Sequence, residues 1–157
     1  MNLELVFSIA GVLAIVGWMM LLASPVMPIL SDRIAGYLIP AILSAGYVSM
    51  AVLFPPSGGG GFGSLGDVVE LFGQREQVLI GWVHFLAFDL VVGAWICRTG
   101  HREGMRFLLV MPSLPLTFLF GPAGFLMFAA ALILHRSKTS TGWRFRSGSS
   151  RSNEVVR

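Results

Sequence analysis

The sequence predicts an all-α integral membrane protein: a four-helix bundle of transmembrane spans whose fourth helix is kinked or broken. Three observations carry this expectation. Of 157 residues, 55% are hydrophobic, and only 12% are charged, against ~25% in ordinary soluble domains. The mean hydropathy is +0.77. The apolar residues gather into four long stretches, the last of them interrupted by prolines. Such a composition excludes a disordered chain, a nucleic-acid-binding domain with a basic face, and most soluble enzymes. The lone Cys97 excludes an internal disulfide framework and any multi-cysteine metal site.

A helix rises ~1.5 Å per residue, so ~20 residues cross a hydrocarbon core of ~30 Å. The four candidate spans cover residues 5–23, 34–54, 78–97 and 107–134. Strands that span a membrane need polar and apolar residues in alternation, which is absent, and lipid then leaves only helices. The first stretch reads as a retained span rather than a signal peptide. No positive charge precedes it, and Pro25 occupies the place of a cleavage site. Residues 24–33 form a short link with Pro25 and Pro28, making the first two spans antiparallel neighbours. The long loop, 55–77, opens on Pro55-Pro56 and a glycine run. Within it, Gly61-Phe62-Gly63-Ser64-Leu65-Gly66 matches GxGxxG literally, but a dinucleotide site needs a preceding strand and a βαβ unit. A span and two prolines precede it here, so it reads as a flexible hinge, with one interfacial helical turn over 67–72. Residues 98–106 form a short polar loop.

The fourth stretch has 28 residues, about 42 Å if straight, which exceeds the hydrocarbon core. It also holds Pro112, Pro115 and Pro122, each of which removes a helical donor and crowds the preceding turn. The break belongs at Phe120-Gly121-Pro122-Ala123-Gly124. Irregular backbone at membrane depth must face protein or a wet cavity, so the break serves either packing or a binding site.

The net charge of +3 divides into −2 over residues 1–135, the transmembrane domain, and +5 over the tail, 136–157. The tail is rich in Ser, Thr, Gly and Arg. It reads as disordered and drawn to anionic headgroups, with Trp143 and Phe145 at the interface. Four spans place both termini and the long loop on one side. That side carries Arg75, Arg136, Lys138, Arg144 and Arg146, against Arg33, Arg98, Arg102 and Arg106 opposite. This narrow excess favours cytoplasmic termini for a multi-pass protein of a bacterial inner membrane or its equivalent.

The third span carries the chemistry. Asp89 lies near its middle, where a carboxylate costs at least ~2.5–3.5 kcal/mol unless paired, protonated or wet. No Lys or Arg lies inside any span to neutralise it, so Asp89 is either a buried hydrogen-bonding strut or a proton donor. His84 precedes it by five residues, ~7.5 Å along a helix and ~140° around it, so the two do not bond directly but can converge on one ligand. Trp82 and Phe85 share the face of Asp89, and Phe88 and Trp95 that of His84. These aromatics suit either packing and lipid contact or a flat apolar ligand. Haem would need a second histidine at depth, and His101 and His135 lie in a loop and at a span end. The three histidines are too scattered for zinc. No catalytic Ser or Cys constellation is visible, and a transporter would need more polar residues inside its spans.

The segments Gly81-Trp82-Val83-His84-Phe85-Leu86-Ala87-Phe88-Asp89-Leu90, Val92-Gly93-Ala94-Trp95-Ile96 and Leu116-Thr117-Phe118-Leu119-Phe120-Gly121-Pro122-Ala123-Gly124 resemble the abscisic-acid-deficient-four-like family. The resemblance centres on residues 78–134, through W-x-H-x-x-x-x-D on one span and F-G-P-x-G on the next. It implies a small four-span membrane protein of carotenoid (xanthophyll) metabolism, whose plant relatives are tied to neoxanthin formation from violaxanthin. That conversion, epoxide to allenic alcohol, is a redox-neutral isomerisation. It needs an acid for the epoxide oxygen and a base for a chain proton, and no cofactor or metal. The resemblance implies His84 and Asp89 as that catalytic pair. Trp82, Phe85, Phe88, Trp95, Gly121, Pro122 and Gly124 would line the substrate. The alternative it leaves is a non-catalytic factor in the lipid bilayer that binds a carotenoid, another isoprenoid or a partner membrane enzyme. Neither alternative involves nucleic acid.

Overall fold

The computed structural model describes residues 2–149, with side chains described as far as Lys138. Every regular element among the described residues is helical. Helix α1 covers Leu3–Leu22, opened by Asn2, whose side-chain oxygen accepts from the Leu5 amide. A second rod runs from Pro28 to Leu53 as α2 (Pro28–Arg33), a π-helical stretch (Ile34–Leu38) and α3 (Ile39–Leu53). The π stretch ends two residues before Pro40, so the ladder is reset where the proline would otherwise break it. Helix α4 (Leu65–Phe72) lies in the long loop, and α5 covers Arg75–Arg102. The fourth apolar stretch forms α6 (Phe107–Val110), α7 (Ser113–Phe120) and α8 (Pro122–Ser149).

Helix α1, the second rod and α5 are long and apolar enough to cross a membrane. Their outer faces are apolar as well: Leu5, Val12, Ile15, Val48 and Val52 are all more than half exposed. A water-soluble bundle would present charge there, whereas a lipid-facing one does not need it. Since lipid is as apolar as leucine, the helices associate by close packing rather than by a hydrophobic drive. Small residues provide that closeness. Ala10, Ala14 and Gly17 form the buried stripe of α1, and a Cβ added at Gly17 would stand 2.5 Å from Leu90 of α5.

Helix α5 is the central element, touching all the other rods. It runs parallel to α1, as the pairs Glu4–Arg75, Phe7–Trp82 and Gly17–Leu90 record in order. It runs antiparallel to the second rod, as Phe54–Gln77, Tyr47–His84 and Tyr37–Arg98 record. Helix α5 ends on Gly104 (φ 65°), with the Met105 amide bonded to the Gly100 carbonyl and the Gly104 amide to that of His101.

The fourth stretch differs from a broken crossing. Helices α6 and α7 run back along α5: Val110 lies on Gly100, and Phe118 on Trp18, which itself lies on Gly93. At Gly121 (φ 30°) the chain reverses beside Asp89. Helix α8 then returns parallel to α5, with Phe125 and Phe128 on Trp95, and Arg136 on Glu103. The stretch is thus a helical hairpin that enters and leaves at one end of the bundle. The expected break is present and sits on the expected residues, but it turns the chain around rather than bending it. The cause is packing. Ser113, Thr117, Gly121 and Gly124 place small groups along the facing sides of α7 and α8, and a Cβ at Gly124 would stand 2.6 Å from the Ser113 carbonyl oxygen.

Two smaller expectations also shift. The glycine-rich loop is fastened rather than free. Gln74 accepts from both the amide and the hydroxyl of Ser57 and donates to its carbonyl, and the Gly59 amide donates to Glu70. Helix α4 there is two turns long, N-capped by Ser64 on the Asp67 amide. The tail, expected as disordered, continues α8 as far as Ser149, because extending a formed helix costs far less than starting one. Residues 150–157, and the side chains of Trp143 and Phe145, lie outside the described residues.

Candidate functional site

Asp89 stands at mid-length of α5, where the hairpin turns. Its side chain is buried, 8% exposed, and a Cβ on Gly121 would lie 2.7 Å from Oδ1. Only glycine both adopts the positive φ of this turn and leaves room for the carboxyl group. Among the described residues Oδ2 is buried without a hydrogen-bond partner, as are Trp18 Nε1 and Ser113 Oγ. A buried polar atom left unpaired costs ~1–3 kcal/mol, so the Asp89 oxygen is a feature to be explained. Among the described residues no cation pairs with Asp89.

The aromatic residues expected around the pair divide among three flanks. Trp82 stacks on Phe7 of α1 and on Phe85, at ring-centre distances of 5.9 and 6.2 Å. His84 stacks on Phe88 at 4.6 Å and meets Tyr47 at 5.3 Å, on the side of the second rod. Trp95 packs on Phe125 and Phe128 of α8, both at 5.5 Å. His84 is exposed and Asp89 buried, so the two leave α5 on different sides, as their spacing requires. Gly121 and Gly124 are buried in the hairpin, and Pro122 opens α8. The structure therefore brings Asp89 and Gly121 together, and Ser113, Thr117 and Gly124 together beside them. It does not join His84 to Asp89.

The face of α5 that bears Asp89 is divided at that residue. Toward the Arg102 end, Gly93, Ile96 and Gly100 are buried beneath α1 and the hairpin. Toward the Arg75 end, Phe85 and Trp82 are 39% and 42% exposed. The hairpin reaches only half the length of α5, and beyond its tip the exposed rings of Phe85, Trp82 and Phe7 stack in turn toward the end bearing Glu4 and Arg75. A cavity of about 340 Å³ bordered by Phe7 and Trp82 lies at that outer end.

The family model for ABA DEFICIENT 4-like proteins matches residues 5–128. The chain belongs to the ABA DEFICIENT 4-like family. The match runs from the first turn of α1 to Phe128 in α8, so this ABA DEFICIENT 4-like region includes Asp89, the stacked aromatics and the hairpin tip. No curated protein and no solved structure matches the chain.

Sequence reasoning missed Trp18, Ser113 and Thr117. The signal was present in Ser113-x-x-x-Thr117-x-x-x-Gly121, a small-residue repeat that marks one helix laid against another rather than against lipid.

Proposed function

We propose that the protein acts in carotenoid (xanthophyll) metabolism by holding the oxygenated end of a long isoprenoid against Asp89. The observation that carries this is the buried Asp89 carboxyl oxygen with no partner among the described residues, on the same side of α5 as the exposed rings of Phe85 and Trp82. A ligand hydroxyl or epoxide oxygen would supply the missing partner, and its apolar chain would lie along Phe85, Trp82 and Phe7. Family membership supports the ligand class.

As an isomerase, the site would pass the Asp89 proton to an epoxide oxygen. The carbon–oxygen bond would open and a proton would leave the neighbouring chain carbon, with no change in formula. His84 is the proposed base, reaching the ligand from the flank of Tyr47 and Phe88. A non-catalytic factor that binds the pigment, or presents it to a partner membrane enzyme, is the second reading. It is favoured by one observation: among the described residues no titratable side chain hydrogen-bonds to Asp89, so no base stands beside the acid. Pigment profiles of a host with the wild-type chain, the Asp89→Asn variant and no chain separate the two. A product that vanishes with Asp89→Asn while bound pigment persists identifies the isomerase. Pigment composition unchanged by removing the whole chain would sink both.

We propose further that residues 1–135 form one membrane domain of three crossings plus the half-depth hairpin. Among the described residues, the end of the bundle that receives the hairpin then carries Arg33, Arg98, Arg102, Arg106, Arg136 and Lys138, against Arg75 alone at the other. By the excess of Lys and Arg this basic end is cytoplasmic, and the N-terminus and long loop lie on the opposite side. The four-span pattern balanced the two sides only because it sent residues 136–138 across the membrane.

A further inference from the structure

We propose that a cavity at the basic end of the bundle binds the phosphate group of an anionic amphiphile. The cavity, of about 650 Å³, lies between the end of α1, the start of the second rod, the last turns of α5 and the first turn of α6. Its lining on α5, from Ala94 to Arg102, lies about 7.5 to 20 Å along the helix from Asp89, and its occupancy does not depend on the function proposed for that residue.

Its floor is apolar: Leu21, Ala94 and Val110 border it and are almost wholly buried. Its rim is cationic. Asp32 is the one acid among the lining residues, and its charge is already committed, since Oδ1 lies 3.0 Å from Nε of Arg98. Arg98 is held in place from the other side as well. It donates to the Tyr37 hydroxyl at 2.9 Å, and its guanidinium stands 5.0 Å above the Tyr37 ring. Arg33 and Arg102 remain. They come from different elements and border the same cavity, and among the described residues neither has a carboxylate within ion-pair distance.

Two unpaired guanidinium groups above an apolar floor match a ligand of defined chemistry. A phosphate offers oxygens in the geometry that a guanidinium fork bonds two at a time, and a phosphodiester or phosphomonoester has oxygens enough for two such forks. The floor would contribute nothing to a fully polar anion, but it suits the first carbons of an acyl or prenyl chain. The position fits too, since the ends of the rods lie at headgroup level, where basic pockets between helices meet anionic lipid.

The test uses the full-length protein purified in a neutral detergent and read by native mass spectrometry. The probes are phosphatidylglycerol and phosphatidylcholine of the same acyl chains, offered together. The wild type should retain one phosphatidylglycerol in preference to phosphatidylcholine. The pair Arg33→Gln and Arg102→Gln should cut that preference by about tenfold or more. Arg106→Gln with Lys138→Gln, at the same end but outside the cavity, should leave it intact. Each variant is first checked for an unchanged melting temperature without added lipid. If Arg33→Gln and Arg102→Gln unfold the protein together, Arg33→Lys and Arg102→Lys replace them and should weaken retention, because an ammonium group cannot bond two oxygens as a fork. Millimolar inorganic phosphate as competitor separates the sources. Failure to displace the lipid assigns the site to a lipid headgroup, and displacement assigns it to free phosphate. Equal retention of the two lipids by the wild type, or equal loss of preference in both variant pairs, would overturn the proposal.

Discussion

At the scale of single residues, Asp89 and Gly121 form one unit. If Asp89 gives up a proton, Asp89→Asn removes it with almost no change in shape, and product formation should fall by ~10²-fold or more while bound pigment persists. If Asp89 only anchors an oxygen, the same change should be mild, and truncation of Trp82 or Phe85 should release pigment instead. Pigment content and turnover measured on the same purified samples separate the cases. Gly121→Ala places a methyl group 2.7 Å from Oδ1 at a φ of 30°. It should cost about 1–3 kcal/mol, read as a lower melting midpoint. Adding Asp89→Ala should relieve the crowding but not the backbone strain, so the double variant should recover only part of the loss. Asp89 was legible in the sequence because charge at membrane depth is rare, and Gly121 because Gly-Pro follows an apolar run. The separation of His84 from Asp89 was legible too, from five residues of helix. The unpaired Trp18 indole was not, because pairing depends on what α7 brings to it.

At the scale of elements, the hairpin is the part that sequence alone left unresolved. Prolines and glycines mark where a helix must stop, but they do not say whether the next one continues or reverses. That choice depends on whether the two limbs can touch, and Ser113, Thr117 and Gly124 let them. The returning limb is fastened at its far end. Arg136 bonds both carboxylate oxygens of Glu103, and His135 meets the Glu103 carbonyl at 3.1 Å. The bond from Arg136 holds the Glu103 carboxyl below its ordinary range. A lowered value in the folded state means that the pair stabilises fully above the ordinary carboxylate value, ~4.3, and loses its effect as the pH falls through the lowered one. Glu103→Gln should therefore lower the melting midpoint by a constant small amount between pH 5 and 7, ranges set by that ordinary value. The difference from wild type should close as the solution is taken below pH ~4. A gap that widened on acidification would contradict the pairing.

At the scale of the whole molecule, topology is the decisive test. Single cysteines at residues 65 and 137, in a chain whose Cys97 is replaced by serine, should react with a membrane-impermeant maleimide from opposite sides. Residues 30 and 137 should share a side. Residues 65 and 137 labelled from the same side would restore four crossings and remove the hairpin. Three of the four apolar stretches were legible as rods to within a few residues, because length and uninterrupted hydropathy suffice to define a rod. The fourth was legible as irregular but not as returning. The hairpin has one further consequence, for the bilayer itself. Three rods occupy the half toward Arg75, whereas five helical limbs, each about 10 Å across, occupy the half toward Arg102. In the proposed topology the protein is a wedge, broad in one leaflet and narrow in the other. Lipids on the narrow side must splay or thin to close around it, and a membrane curved away from that side accommodates it with less distortion.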